Sequence, residues 1–236
     1  MLDQIIARSY WGLVFVPGIL LALYGRWRFG RAYQHYSGVP TVGKVSGAQA
    51  ARALLDRIGM ANVELYEMSQ FLGDHYDPRR RCIFLSSEVA SSTTIAAVAV
   101  ATHVVAHGSQ FRQDHRFFRL RMVAMRATGL ATNAALILLI IGLLDPGDSY
   151  RSFLIAGTSI YGAFILVQLL TLPVEYGASG IAQRELTRHK IIDASEKKAC
   201  EKMLKATVWI DMPHLLSAAF GVGRLFRTSQ DSAEEA

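Results

Sequence analysis

Cysteine, proline and acidic residues are all scarce in this sequence of 236 residues, which has 2 cysteines, 6 prolines and 19 acids against 25 Lys and Arg. The two thiols, Cys82 and Cys200, are too few for a four-cysteine zinc cluster or a disulfide framework, and as unpaired groups they suit a reducing compartment. Charged residues are only 19% of the chain while 51% is hydrophobic, and the mean hydropathy is positive at +0.24. That balance is unusual for a soluble domain and points to a membrane class. No internal repeat or low-complexity segment is present. No A-x-A site follows the first apolar run, and its charges come after it, so an uncleaved anchor is favoured over a cleaved signal peptide.

The excess positive charge is dispersed. Arg26, Arg28 and Arg31 follow one apolar run, and Arg112, Arg116, Arg119, Arg121 and Arg126 precede another, a placement that suits anionic lipid headgroups. No basic motif is interleaved with aromatics, so no nucleic-acid partner is expected. The run Trp11–Tyr24 reads as a first transmembrane helix, although it is short for the roughly 20 residues a span needs. Residues 127–144 and 153–172 read as a transmembrane hairpin joined by the polar turn DPGDSYR. The last apolar stretch, 206–222, contains Asp211, Pro213 and His214 and makes a poor span; an interfacial or re-entrant helix fits equally. The small acidic tail after it reads as frayed.

Between these runs lie elements of a water-exposed region. Ser46 and Gln49 have capping-box spacing, and Ala50, Ala53, Leu54 and Ile58 share a face, predicting an amphipathic helix over 46–60 stopped by Gly59. VELYEM and RCIFLS, separated by Gly, Asp and Pro, read as short strands of a hairpin or small sheet. Ser91 or Ser92 is the expected cap of a helix running from about Thr93 to Gln110. Residues 182–205 are charged at helical spacing, as on a solvated helix face. The expected division is 1–25 anchor, 26–126 polar domain, 127–172 hairpin, 173–205 helix with a charged face, and 206–236 apolar or interfacial helix and tail. The fold class is therefore a mainly α membrane protein, transmembrane helices plus a small α+β domain.

His103 and His107 stand four residues apart on the predicted helix, so both rings can reach one metal ion. Two histidines bonded separately to other groups would show the same spacing. Glu175 follows the third apolar segment, where an unpaired carboxylate is costly. It can be a third ligand, or an acid favoured at a helix start after Pro173. In the H-E-x-x-H motif of zinc peptidases the glutamate takes a proton from water on the metal. Here the corresponding string is His103-Val104-Val105-Ala106-His107, and Val104 cannot accept a proton.

The strings GDHYDP (73–78), LSSEVA (85–90), AAVAVATHVVAHGSQ (96–110) and LPVEYGAS (172–179) resemble, in order, those of the YugP-type neutral zinc metallopeptidases of bacterial membranes. The resemblance implies a zincin-like domain, with His103, His107 and Glu175 as the ligands of a Zn2+ ion. It also sets two departures in relief: valine at 104 where the family has its glutamate, and Ala106 where it has glycine. General-base catalysis is worth typically about 10²–10⁴-fold, so hydrolysis should fall to a trace. Asp74, His75, Asp77 or His115 are the candidate replacements. The DHYDP turn also has a purely local explanation, since Asp, Gly and Pro make turns unaided; His75 and Tyr76 are its residues most apt to face a cleft. Arg79, Arg80 and Arg81 read as a solvated or lipid-facing cluster.

The leading expectation is a membrane-anchored, catalytically inactive peptidase homologue acting as a binding, scaffold or accessory subunit for a membrane-protein partner. The alternatives are an active peptidase with a substitute base and a peptide substrate, or a structural subunit without metal. Arg and Lys cluster between the first and second apolar segments and after the third, so the positive-inside rule puts the histidine-bearing domain in the cytoplasm of a multi-pass inner-membrane protein.

Overall fold

A computed structural model of the chain describes residues 13, 16–69, 73–113, 116–145, 147 and 149–209. The start of the expected anchor, His115, and residues 210–236 with the final apolar stretch and acidic tail lie outside the described residues. The described chain is mostly helical: α1 Val16–Tyr36, α2 Gly47–Arg57, β1 Glu64–Met68, β2 His75–Asp77, β3 Cys82–Ser86, α3 Ser87–Ser91, α4 Ile95–Arg112, α5 Arg116–Leu144, α6 Tyr150–Arg188 and α7 Lys197–Thr207. It divides into two compact units. One comprises the described parts of Met1–Arg26 and Arg121–Leu170, the other Trp27–Leu120 and Thr171–Ile210.

The second unit is built around α4. Every residue from Ile95 to Gln110 is buried, as expected of a helix that is apolar on all sides and packed within a core. It packs on α2, α3, α7 and the sheet. The capping box forms as expected, with Ser46 accepting from the Gln49 amide and the Gln49 side chain accepting from the Ser46 amide. The buried face of α2 is Ala50, Ala51, Leu54 and Leu55; Ala53 and Ile58, expected on that face, are half-buried. Gly59, at φ +73, follows the helix end, a conformation that costs glycine nothing. Arg52 then fixes the exit by donating to the carbonyls of Ala61 and Val63 and to Asp56.

The sheet is more than a simple hairpin of the two expected strands. Among the described residues it has three strands in the order β1-β3-β2. β1 runs parallel to β3, with Glu64 opposite Cys82, and β2, from within the DHYDP turn, runs antiparallel to β3 with Tyr76 opposite Ile83. The N-cap of α4 is Thr94, accepting from the Ala97 amide at 3.4 Å, not Ser91 or Ser92. Those serines end the short α3, where the Ser92 amide donates to Glu88 and its carbonyl accepts from Gly47.

In the other unit, α5 and α6 leave and enter the expected polar turn, and they meet through small residues. The position of a β-carbon on Gly157 would lie 3.0 Å from the Ala135 carbonyl, and one on Gly142 would lie 2.9 Å from Leu154. Such close backbone approach is common between helices in lipid. Large apolar side chains point outward: Leu130 is 79% exposed, Leu144 75% and Leu166 63%. Among the described residues one helix, Tyr150–Arg188, is long and apolar enough to cross a membrane. Pro173 lies inside this helix and does not start a new one, so the reading of Glu175 as a helix N-terminal acid fails. The charged stretch 182–205 is not one helix either: α6 ends at Arg188 and α7 begins at Lys197.

Two tests follow from this packing. Gly47 lies so close to the Val89 carbonyl that a β-carbon has no room; Gly47→Ala should cost about 1–3 kcal/mol. Gly30, with nothing near its side-chain direction, should gain about 0.5–1 kcal/mol on the same change, and thermal melts of the two variants would show opposite shifts. Burial pushes the Cys200 thiol up to about 12, with Glu196 adding to the rise. The folded state holds this proton while an unfolded thiol loses it near about 8.5. The stabilisation is therefore whole below that value and is lost as pH rises through it toward 12. Iodoacetamide at mildly alkaline pH should spare Cys200 in the folded protein and alkylate it after denaturation.

Candidate metal centre

Two helices bring the candidate ligands together within one unit. His103 and His107 project from α4, one turn apart, and Glu175 from α6, two residues after Pro173. All three are buried, at 4%, 6% and 1% exposure. One ligand atom from each lies within 4.8 Å of the others. Nε2 of His103 is 3.1 Å from Oε2 of Glu175, and Nε2 of His107 is 3.3 Å from the same oxygen.

The hydrogen bonds behind the rings decide what these facing atoms are. Ser179, one turn after Glu175, donates its hydroxyl proton to the Leu204 carbonyl at 2.8 Å, and Thr207 does the same at 2.7 Å. A carbonyl can only accept, so both hydroxyls have spent their one proton. Each then faces Nδ1 of His103 as an acceptor, at 3.1 Å for Ser179 and 3.4 Å for Thr207. Nδ1 must therefore carry a hydrogen, which in the neutral ring leaves a lone pair on Nε2.

His107 is set in the same way by a different group. The Gln110 amide donates to the Val174 carbonyl at 2.9 Å, so its oxygen is the atom 3.0 Å from Nδ1 of His107. Again Nδ1 is the donor and Nε2 the acceptor. Nε2 of His107 is buried without a hydrogen-bond partner although it lies beside Glu175. With neutral rings, Nε2 of both histidines and Oε2 of Glu175 thus converge on one buried place, a disposition that a cation between them would suit. Two nitrogens and one oxygen make a donor set suited to zinc, with room in its coordination for a further ligand. By chemistry and orientation the residues fit a divalent cation.

The DHYDP candidates have other work. Asp74 accepts from the Ser86 amide and hydroxyl; burial pushes its carboxyl above the ordinary range, and those hydrogen bonds oppose the rise. Asp77 accepts from the amides of Arg79 and Arg80, the local turn chemistry expected of this string. His75 stacks on Phe84 with ring centres 5.0 Å apart. Tyr76 does face α4: a β-carbon on Gly108 would lie 3.3 Å from its ring, one residue past His107. Val104 is buried at 4% exposure.

The family described as "Putative neutral zinc metallopeptidase" matches residues 11–228. The chain belongs to this family. It is also 30% identical over 191 residues to the "Putative membrane protease YugP" of Bacillus subtilis (strain 168), across 81% of this chain and 84% of that relative. No solved structure matches it. Within the family frame, the residues not singled out from sequence are Gln110, Ser179 and Thr207. Gln110 and Ser179 close two of the motif strings and lie three and four residues beyond a candidate ligand, so helical spacing alone marks them as neighbours. Thr207 lies 104 residues from His103 and carries no such signal.

Removing a group behind a ligand should weaken the metal more than the fold. Ser179→Ala should lower zinc affinity by about 10–100-fold, the usual effect of losing a hydrogen bond that orients a ligand. Gly177→Ala should lower it too, because the new β-carbon would sit 3.1 Å from the Gln110 amide nitrogen. Competition with a chromogenic zinc chelator would measure both, and unchanged affinity in the two variants would separate these side chains from the metal.

Proposed function

We propose that the chain is a membrane-anchored member of the zinc metallopeptidase family that holds Zn2+ through His103, His107 and Glu175 but has lost peptide hydrolysis. It would act by binding, as an accessory or scaffold subunit for another membrane protein. The observation that carries this reading is Val104: a buried hydrocarbon side chain stands at the residue after the first histidine, where the resemblance places the general base. Support for a retained metal comes from the three facing acceptors and from the intact hydrogen bonds behind both rings. A binding role uses that same arrangement, with the cation cross-linking α4 to α6 near the packed end of α7.

Bound zinc would supply a Lewis acid able to polarise a carbonyl. The chain's own residues account for the rest. Ser179, Thr207 and Gln110 hold the imidazoles in the ligating tautomer, Glu175 supplies negative charge, and burial keeps bulk water from competing. None of these groups is available as a base. The Nδ1 atoms are protonated toward their partners, and Asp74 and Asp77 are occupied in the turn.

The bilayer as a partner is supported by the relative's description as a membrane protease and by the apolar helix Tyr150–Arg188. The outward-facing Leu130, Leu144 and Leu166 are in keeping with lipid contact. A multi-pass inner-membrane arrangement with the metal unit in the cytoplasm follows from the basic flanks.

Val104→Glu tests the loss of the base. Purified in detergent with zinc, the native chain should cleave an unstructured protein at a trace rate, and Val104→Glu should raise that rate by about 10²–10⁴-fold. Robust hydrolysis by the native chain that disappears in His107→Ala would instead establish an active peptidase with a substitute base.

A further inference from the structure

A second site lies beyond the metal centre, on the same unit. Arg57 of α2, Arg112 of α4, and Arg184 and Arg188 of α6 line a cavity of about 320 Å³ together with Ile58, Ser109, Gln113, Ile181, Glu185 and His189. Four guanidiniums against one carboxylate leave about three net positive charges at one concavity. These charges come from three separate helices, unlike a solvated face, which would array them along one. Arg184 and Arg188 are four residues apart, where like charges on a helix repel.

The cluster is not neutralised by the described residues. Glu185 is held by His189 at 3.2 Å. Arg112 uses Nη1 to donate to the Gly59 carbonyl at 2.9 Å, which anchors it at the rim with its charge uncompensated. Among the described residues, the side chains of Arg57, Arg184 and Arg188 make no hydrogen bond or ion pair. Planar guanidinium forks match oxyanions in pairs of parallel hydrogen bonds, and several together favour a multiply charged one. A lone carboxylate would offset only part of this charge. A phosphate carries about two, and Ile58 and Ile181 offer an apolar wall to whatever the phosphate is attached to.

We propose that this cavity binds a phosphate ester, seated by Arg57, Arg112, Arg184 and Arg188. The site shares α4 and α6 with the metal centre. Arg112 lies five residues beyond His107 and Arg184 nine beyond Glu175, which is about 7.5 and 13.5 Å along the helix axes at the standard rise. The proposal does not need the metal, and its test is run without one.

The full chain in dodecyl maltoside, stripped with a chelator, is titrated with glycerol phosphate by calorimetry at constant ionic strength. Saturable binding at one site is expected. Arg184→Gln and Arg188→Gln, both exposed and so tolerant of change, should each weaken it about tenfold or more, the worth of one charge-assisted hydrogen bond. Arg79→Gln, exposed and outside the cavity, should leave it unchanged. A parallel titration with phosphatidic acid in mixed micelles identifies the source: tighter, Arg184-dependent binding marks a lipid headgroup, and equal binding marks a soluble phosphate ester. No saturable binding of either, or an equal loss in Arg79→Gln, would overturn the site.

Discussion

Two imidazole lone pairs and one carboxylate oxygen face one another in a place sealed from water, and much of the second unit exists to keep them there. The ring hydrogens are fixed on the far side, on His103 by Ser179 and Thr207 and on His107 by Gln110. Each of those groups is itself committed to a helix carbonyl, Leu204 or Val174. A rotation of either ring would break a buried hydrogen bond, so the three ligand atoms are held facing one another in a disposition that suits a cation.

The surrounding architecture can be understood from that requirement. α4 carries both histidines and must be immobile, and it is buried along nearly its whole length among α2, α3, α7 and the sheet. α6 must deliver Glu175 and Ser179 on one face, and it does so by continuing through Pro173 instead of restarting there. α7 adds the Leu204 carbonyl and the Thr207 hydroxyl. Gly177 leaves the space through which the Gln110 amide reaches α6. The ligands lie on regular helices, which hold side-chain direction better than loops do.

Val104 sets a buried hydrocarbon side chain beside the first histidine, where the family resemblance puts a proton acceptor, while the candidate ligands and their orienting groups are in place. A site under no constraint would be expected to lose its buried polar groups first, since they are costly when unsatisfied. A ligand frame with a valine beside its first histidine is in keeping with the proposed binding role. The arginine-lined cavity farther along α4 and α6 adds a second feature of the unit that peptide hydrolysis does not call for.

The α2 capping box, the apolar segments around the DPGDSYR turn and the two histidines were legible in the sequence because each depends on residues within about one turn of each other. Glu175 was legible through its motif and the cost of a carboxylate beside an apolar run. Other features were not. The helix cap at Thr94, the third strand within DHYDP and the unbroken α6 depended on contacts outside each segment: Ser92 is taken by Gly47 and Glu88, β2 needs β3 to pair with, and Pro173 gives no sign of whether a helix continues around it. The residue order alone identified which side chains could bind a metal and showed that a valine follows the first histidine. Which nitrogen of each ring faces the carboxylate emerged from the folded chain alone, because tautomers are set by hydrogen-bond partners, and one of those partners, Thr207, lies 104 residues away.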